Sequence, residues 1–313
     1  MGRDPRYIPP GGAMVEITTR TIQGRYLLRP DPAGQVNEVF LGILGHAQKR
    51  YGGLIHAVSG LSSHYHLLAT FEDALQMGQF MRVVNGSLSL EIGRLHDWSG
   101  PMWDRRYRPI LVTEELEAQL ARLKYVLAAG AKEGLVDRPE KWPGVQSVDA
   151  LLHGEPLRGV WFDRTAEYAA RSRGEAFGRY TYATEHVIAL EPLPALRHLT
   201  IEQQRETIAG LVAEIEEEAA VQRRETGRES LGTAEVMSRD PHAQPATLER
   251  SPAPRVHAFR KQVRQLWQEA LATVFAAYRE AAGRLRQGDL LVDFPPGTYP
   301  PARPFAAFSG IPP

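Results

Sequence analysis

Residues 54–71 read LIHAVSGLSSHYHLLATF. Two apolar runs, 54–59 and 64–71, are joined by a short segment of Gly and Ser, which predicts a strand pair. Upstream, 35–50 places Val36, Val39, Phe40, Ile43, Leu44 and Ala47 at helical spacing and stops at Gly52-Gly53, so a helix enters the pair. Residues 13–20 alternate, with Val15 and Ile17 on one face and Glu16, Thr18 and Arg20 on the other, a strand pattern; 25–29 reads as a further short extended piece. Downstream, 73–95 is a long helix with Leu75, Phe80, Met81, Val84 and Leu88 turned inward, and 107–112 is a strand. Thr113, followed by Glu114 and Glu115, reads as the N-cap of a helix running to about Lys132. If 25–29 is counted with the first strand, the order is β-α-β-β-α-β and then one extra helix. That is the split βαβ, ferredoxin-like arrangement of an α+β protein.

The rest of the chain reads differently. Residues 1–12 are an arm rich in Pro and Gly. Pro139, Pro143 and Gly144 break the pattern, and 145–160 read as a short helix and a turn. Beyond about 160 the chain reads as mostly helical, with 201–223 and 257–286 the longest segments. Loops surround a small helix at 232–238, and a Pro-rich, extended tail starts at Asp293. The expected division is residues 1–157 as one domain and 158–313 as a mostly α-helical C-terminal domain, in keeping with a length of 313 residues.

Composition narrows the chemistry. Without cysteine there is no disulfide framework, thiolate zinc site or cysteine nucleophile. With no run of 18 apolar residues and no charged-then-apolar leader, the expectation is a cytoplasmic protein without a membrane partner. Lys+Arg and Asp+Glu both number 37, and residues 1–150 hold 17 against 16, so neither half is basic. Any affinity for nucleic acid must come from local patches.

Three features carry chemistry. His64 and His66 sit at i and i+2 of a strand and share a face, with Tyr65 pointing away. They are either ordinary polar strand residues or two imidazoles able to hold a divalent ion with positions left open for phosphate oxygens. Tyr125 lies about 200° around its helix from Leu123. It is therefore opposite the expected buried stripe of Leu116, Leu120, Leu123 and Leu127, on a surface of Ala118, Ala121, Ala128 and Ala129, with Arg122 and Lys132 beside it. It is either a surface tyrosine or a nucleophile placed for phosphate chemistry. Third, Trp103, Arg105, Arg106 and Arg108 with Tyr107 combine forks for phosphate with rings for unpaired bases; a solvated turn anchored by Trp is the other reading.

Together these residues resemble the single-tyrosine HUH transposases, most closely the REP-associated tyrosine transposases, over about residues 5–155. Pro5-Arg6 and Arg20 match the opening arm and first strand. IHAVSGLSSHYHLLAT matches the His-hydrophobic-His strand, with Tyr65 in a slot that is usually aliphatic. GPMWDRRYRPILV matches the Arg-aromatic segment, and LKYVLAAGAKEGLV followed by KWPGVQS matches the nucleophile helix and the end of the domain. The resemblance implies an HUH nuclease domain in which His64 and His66 bind Mg²⁺ or Mn²⁺ and Tyr125 attacks the scissile phosphate. The products are a 5′-phosphotyrosine link and a free 3′-hydroxyl. It implies single-stranded DNA flanking an imperfect hairpin as partner, a monomeric or homodimeric state, a nucleoid-associated location, and a role in DNA transposition or mobilisation of REP-like elements.

One departure stands out. The family usually has an amide one turn after the tyrosine to complete the metal site; here that position is Ala129, followed by Gly130. Glu16 is the candidate replacement ligand, on a strand expected to flank the His strand; pairing with an Arg and a water-filled coordination sphere are the alternatives. A site crippled by Ala129 makes the protein a domesticated reader of DNA hairpins that does not cut. A helical protein-interaction module on an inert scaffold and an RNA reader are the remaining classes. In the C-terminal half, Arg250, Arg255, Arg260, Lys261 and Arg264 have no acid among them, so Arg260, Lys261 and Arg264 offer a basic helix face for DNA, to which His257 adds. Glu214 and Glu216–Glu218 read as a solvated acidic turn. A helix-turn-helix over 201–238 and a dimerisation role are further options.

Overall fold

The computed structural model describes residues 4–247 and 254–302. In chain order its elements are β1 (Ala13–Arg20), α1 (Gln35–Tyr51), β2 (Leu54–Leu61), β3 (His64–Phe71), α2 (Ala74–Leu95), β4 (Arg108–Val112), α3 (Leu116–Leu127), α4 (Ala129–Lys132), α5 (Val148–His153), β5 (Leu157–Phe162), α6 (Arg164–Ser172), β6 (Ala183–Ile188), α7 (Ile201–Thr226), α8 (Thr233–Ser238), β7 (Val256–His257) and α9 (Lys261–Arg286). The main sheet has the order β2-β3-β1-β4-β7. Its first four strands pair antiparallel in the ferredoxin-like order, and β7 adds in parallel to β4. The protein is α+β, as the hydrophobic periods predict.

The two faces of the sheet follow from strand alternation. Val15, Ile17, Tyr65, Leu67 and Ala69 face a core shared with Phe40, Leu44, Phe80 and Val84 of α1 and α2. Met14, Leu68 and Val112 face the other way, against Leu123, Val126 and Leu127 of α3 and Ile208, Leu211 and Ile215 of α7. Both edges of the sheet are covered. On the β2 side, Gly60 donates to the Val145 carbonyl at 2.7 Å and the Ser147 hydroxyl meets both backbone groups of Val58. On the other side β7 covers β4.

Several elements depart from the sequence reading. Residues 25–29 are a turn, not a strand: Leu27 and Leu28 are buried, and the Leu28 amide bonds the Ser62 carbonyl. Two leucines anchoring a loop mimic a short alternating run. Leu75 is half exposed on α2. The N-cap of α3 is Glu115; the Thr113 hydroxyl donates to its carboxylate at 2.9 Å. The helix breaks at Ala128 before the one-turn α4. After residue 157 the chain is not only helical: β5 and β6 form a separate two-stranded hairpin on α1, and β7 joins the main sheet. The main core runs across the 157/158 position, taking in Phe162, Ile188, Val256, Leu271 and Phe275. There is no helix-turn-helix at 201–238, because the 26-residue α7 spends its apolar stripe on α3. The acidic turn of α7 is not merely solvated, since Glu214 and Glu218 hold Lys124 at 2.7 and 2.8 Å. The N-terminal arm is docked: Ile8 is buried, Tyr7 bridges to Thr298, and Arg6 lies over the rings of Tyr107 and Tyr299. Residues 295–298 of the tail therefore turn rather than run straight. No helix among the described residues is long and apolar enough to cross a membrane.

His56 gives the fold a pH dependence. It is buried at a bulge in β2, with Nδ1 2.9 Å from the Glu191 carbonyl and Nε2 2.8 Å from the Thr70 hydroxyl. Burial holds its pKa down at about 4, and Arg197 adds to the effect, against the pull of the Glu191 carbonyl. The unfolded chain therefore binds the extra proton between about pH 6.5 and 4, so this stabilisation is complete above 6.5 and is lost as pH falls through 4. Wild type is expected to lose about 3 kcal/mol more than His56→Gln between pH 7 and pH 4. Urea unfolding at the two pH values measures the difference, and equal losses refute the assignment.

Candidate active site

The site lies at the end of the sheet where β1 finishes and β3 begins. Register places Arg20 opposite His64, and Ser59, His66, Thr18 and Arg108 in one row across four strands. Cross-strand partners share a face, so this row points toward α3. The rings of His64 and His66 meet edge to face with centroids 5.1 Å apart. The Tyr125 ring stands perpendicular to His66 at 5.2 Å. Lys132 Nζ is 4.3 Å from the Tyr125 ring centroid, and the Arg122 guanidinium carbon 4.7 Å. Residues from two strands and two helices thus converge on one spot.

Glu16 organises the row from below. It is 2% exposed. Its Oε1 lies 3.2 Å from His66 Nδ1, and its Oε2 lies 3.2 Å from Arg122 Nη1 and 3.3 Å from His257 Nε2. Burial alone raises a carboxyl pKa; here hydrogen bonds from His257 and His66 and the charges of His66 and Arg122 outweigh it and hold Glu16 far below the usual range. An ionised carboxylate only accepts, so in the neutral form of His66 the proton sits on Nδ1 and Nε2 is left bare. The Thr18 hydroxyl, 3.1 Å from the same Nδ1, can accept as well. His64 Nδ1 meets the Ser63 hydroxyl at 3.1 Å, and burial, together with the charges of His66, Arg20 and Lys132, keeps its pKa well below that of a free imidazole. His64 is thus held ready as a neutral donor. Burial and then the charge of Glu16 push the Tyr125 phenol up, against the pull of Arg122.

Two bare imidazole nitrogens fit a divalent ion, but only as part of its coordination sphere. Among the described residues no three His, Cys, Asp or Glu side chains form a ready metal cluster. Glu16 stands behind His66 rather than beside its free nitrogen, the place of a partner that fixes ring orientation. Ala129 is buried against Leu61, Val136 and Trp142 and packs instead of ligating. The donor set therefore suits a cation that keeps most of its sites for water and phosphate oxygens.

The other candidate residues divide. Trp103 donates its indole N–H to the Asn85 carbonyl at 2.9 Å and packs on Tyr65, so its ring belongs to the core edge. Tyr65 points away from the site, as expected, and donates to the Asn85 side chain at 2.8 Å. Arg105 lies 3.5 Å from Asp104, and Arg106 donates to the Asp4 carbonyl at 2.6 Å. Arg108 is exposed on the His66 row. Arg260 caps α9 and pairs with Glu115 at 2.7 Å, at the far end of α3 from Tyr125; Lys261 and Arg264 lie exposed beyond it. Arg255 is clamped to Asp4, and Arg250 lies outside the described residues. Nor does Tyr125 stand on a bare methyl surface. Ala118, Ala128 and Ala129 are buried, while Leu116 is exposed, because α3 is wedged between the sheet and α7. Sequence reasoning missed His257 as a site residue. It lies 135 residues from Arg122 along the chain, in a strand two residues long, and no local pattern marks it.

Fold and site together define an α+β protein whose ferredoxin-like sheet carries a histidine pair facing a helix-borne tyrosine. No family model matches the chain, and no curated protein matches it in sequence. The solved structures similar to it include a REP-associated tyrosine transposase bound to a REP hairpin, 16% identical, covering 47% of this chain and 82% of the other, with a TM-score of 0.34. They also include a Deinococcus radiodurans R1 protein proposed to be a transposase, 17% identical, covering 39% of this chain and 95% of the other, with a TM-score of 0.28.

Proposed function

We propose that the protein cleaves and rejoins single-stranded DNA next to a hairpin through a covalent tyrosine intermediate. The observation that carries this reading is the convergence of Tyr125 on the His64–His66 pair, with Arg122 and Lys132 beside the ring. The Tyr125 oxygen attacks phosphorus, the bond from phosphorus to the 3′ oxygen breaks, and the phenol proton leaves to solvent. The leaving oxygen takes a proton and becomes a 3′-hydroxyl, while the 5′ side stays on Tyr125. Attack by another 3′-hydroxyl reverses the step, so no nucleotide cofactor is consumed. His64 and His66 would hold Mg²⁺ or Mn²⁺, which would supply charge stabilisation at the phosphate. Arg122 and Lys132 place positive charge where phosphate arrives, and Arg108 extends it along the sheet. Lys261 and Arg264 supply a separate basic face for flanking DNA.

The test is direct. Hairpin oligonucleotides with a labelled single-stranded flank are incubated with protein and Mn²⁺ and run on a denaturing gel. A downstream fragment linked to the protein through its 5′ phosphate, lost with EDTA, is expected; its absence across a broad hairpin set sinks the reading. Imidazole donors favour Mn²⁺ over Mg²⁺, so activity is expected at lower Mn²⁺ concentrations. The short donor set favours a second reading, a hairpin-binding protein without cleavage. That reading predicts salt-dependent hairpin affinity that EDTA does not change.

A further inference from the structure

We infer that His257, brought in by the C-terminal half of the chain, is a positioning residue of this site: it fixes Glu16 and, through Glu16, the proton position on His66. The inference rests on the reading of His64, His66 and Tyr125 given above.

The backbone around His257 is pinned on both sides. The Leu111 amide donates to the Arg255 carbonyl at 3.1 Å and the Thr113 amide to the His257 carbonyl at 3.0 Å. Arg255 grips Asp4 with two bonds of 2.9 Å, Val256 is buried in the main core, and the amides of Phe259 and Arg260 reach the Glu115 carboxylate at 2.9 and 3.2 Å. A two-residue strand held this firmly delivers its imidazole to one place. There Nε2 accepts from Arg122 Nη1 at 3.0 Å, and the same Nη1 donates to Glu16 Oε2 at 3.2 Å, so His257 steadies the guanidinium that holds Glu16.

Geometry makes this contact matter. His66 Nδ1 has two neighbours, the Thr18 hydroxyl and Glu16 Oε1. A hydroxyl can donate or accept, so Thr18 tolerates either tautomer of His66. Glu16 tolerates only the one protonated on Nδ1, which leaves Nε2 bare. The choice is set by how the Glu16 carboxylate is turned, and Arg122, steadied by His257, holds the oxygen that Glu16 does not give to His66. Arg122 also lies over the Tyr125 ring, so its fork is shared. His257 has no second carboxylate among the described contacts.

The experiment uses the full chain with His257→Gln and His257→Asn. The Gln amide oxygen reaches about as far as Nε2 and can accept from Arg122, whereas the Asn amide ends one bond short. Long-range ¹H–¹⁵N spectra read the His66 tautomer without metal or DNA, and electron paramagnetic resonance titration with Mn²⁺ alone reads the affinity of the histidine pair. His257→Asn is expected to move His66 toward a tautomer mixture and to weaken Mn²⁺ binding about tenfold, the low end for a partner behind a ligand. His257→Gln is expected to stay within about threefold of wild type, judged against the same range. If His257→Asn does not fold, His257→Leu takes its place with the same expectation. A variant without the long acceptor that keeps both the wild-type tautomer and wild-type Mn²⁺ affinity overturns the inference. Failure of wild type to bind Mn²⁺ counts against the metal in the proposed function, and the tautomer measurement then decides the role of His257 by itself.

Discussion

Tyr125→Phe is expected to abolish the covalent protein–DNA species, a fall of at least about 10⁴-fold, while leaving folding and DNA affinity nearly unchanged. The magnitude follows from what is removed. Covalent transfer needs an oxygen on this ring, and Tyr125 is the tyrosine whose ring stands against His66. The restraint on side effects follows from what is kept. The Tyr125 hydroxyl has no hydrogen-bond partner among the described residues, so its loss leaves no donor or acceptor stranded. The ring itself stays, and with it the contacts to His66, Arg122 and Lys132. The melting temperature should therefore move by no more than about 2 °C. Gel analysis reads the covalent species, filter binding the affinity, and calorimetry the folding. Persistence of a DNA-linked band in the variant removes Tyr125 from the chemistry. Loss of DNA binding together with the band makes it a contact residue instead.

How much of this was legible in the sequence depended on the range of the signal. The β-α-β-β-α-β order came from local periods, and the pairing of β1 with β3 followed from it, which set Thr18 beside His66 and Glu16 two residues along the same face. The identity of the His pair as neighbours needed only the period of a strand. Tyr125 was harder: the pattern sets its face opposite the leucine stripe, yet Val126, Ala118 and Ala128 are buried because α7 covers α3 from outside. A helix sandwiched on two sides has no simple stripe to read. The double use of Glu16 was visible only as competing options, ligand or arginine partner. The structure joins it to Arg122, His66 and His257 at once. His257 had no signal because two residues of strand leave no period, and its neighbours in sequence are basic residues that suggest a surface patch. The break at Ala128 was hidden for the opposite reason: 116–132 is rich in good helix formers, and only packing around Trp142 and Gly130 shows why the helix divides.

The largest stability effect is expected from a methyl group far from the site. Gly42 on α1 and Gly159 on β5 touch backbone to backbone. A Cβ on Gly42 falls inside contact distance of the Val160 backbone, and one on Gly159 falls 2.5 Å from the Glu38 carbonyl oxygen and 2.6 Å from the Leu41 carbonyl carbon. Backbone atoms cannot rotate away, so the β5–β6 hairpin has to lift off α1. That exposes Phe162 and Ile188, both buried in the main core. Helix propensity pulls the other way, since Ala in place of Gly favours α1 by about 1 kcal/mol. Overpacking of a rigid contact costs about 3 kcal/mol or more, so the clash wins. Gly42→Ala is expected to lower stability by about 2 kcal/mol or more, the difference between those two effects, and Gly159→Ala, on a strand with no helix propensity to gain, by about 3 kcal/mol. Gly210→Ala on α7, where a Cβ meets nothing within 4 Å, isolates the propensity gain and is expected to stabilise by about 1 kcal/mol. Urea unfolding of the three variants separates the effects by sign. Stabilisation in Gly42→Ala equal to that in Gly210→Ala means the hairpin does not pack on α1 as described. A large loss with Mn²⁺ affinity intact just below the unfolding transition shows instead that the hairpin detaches without disturbing His66, Thr18 and Glu16, which all lie on strands of the main sheet.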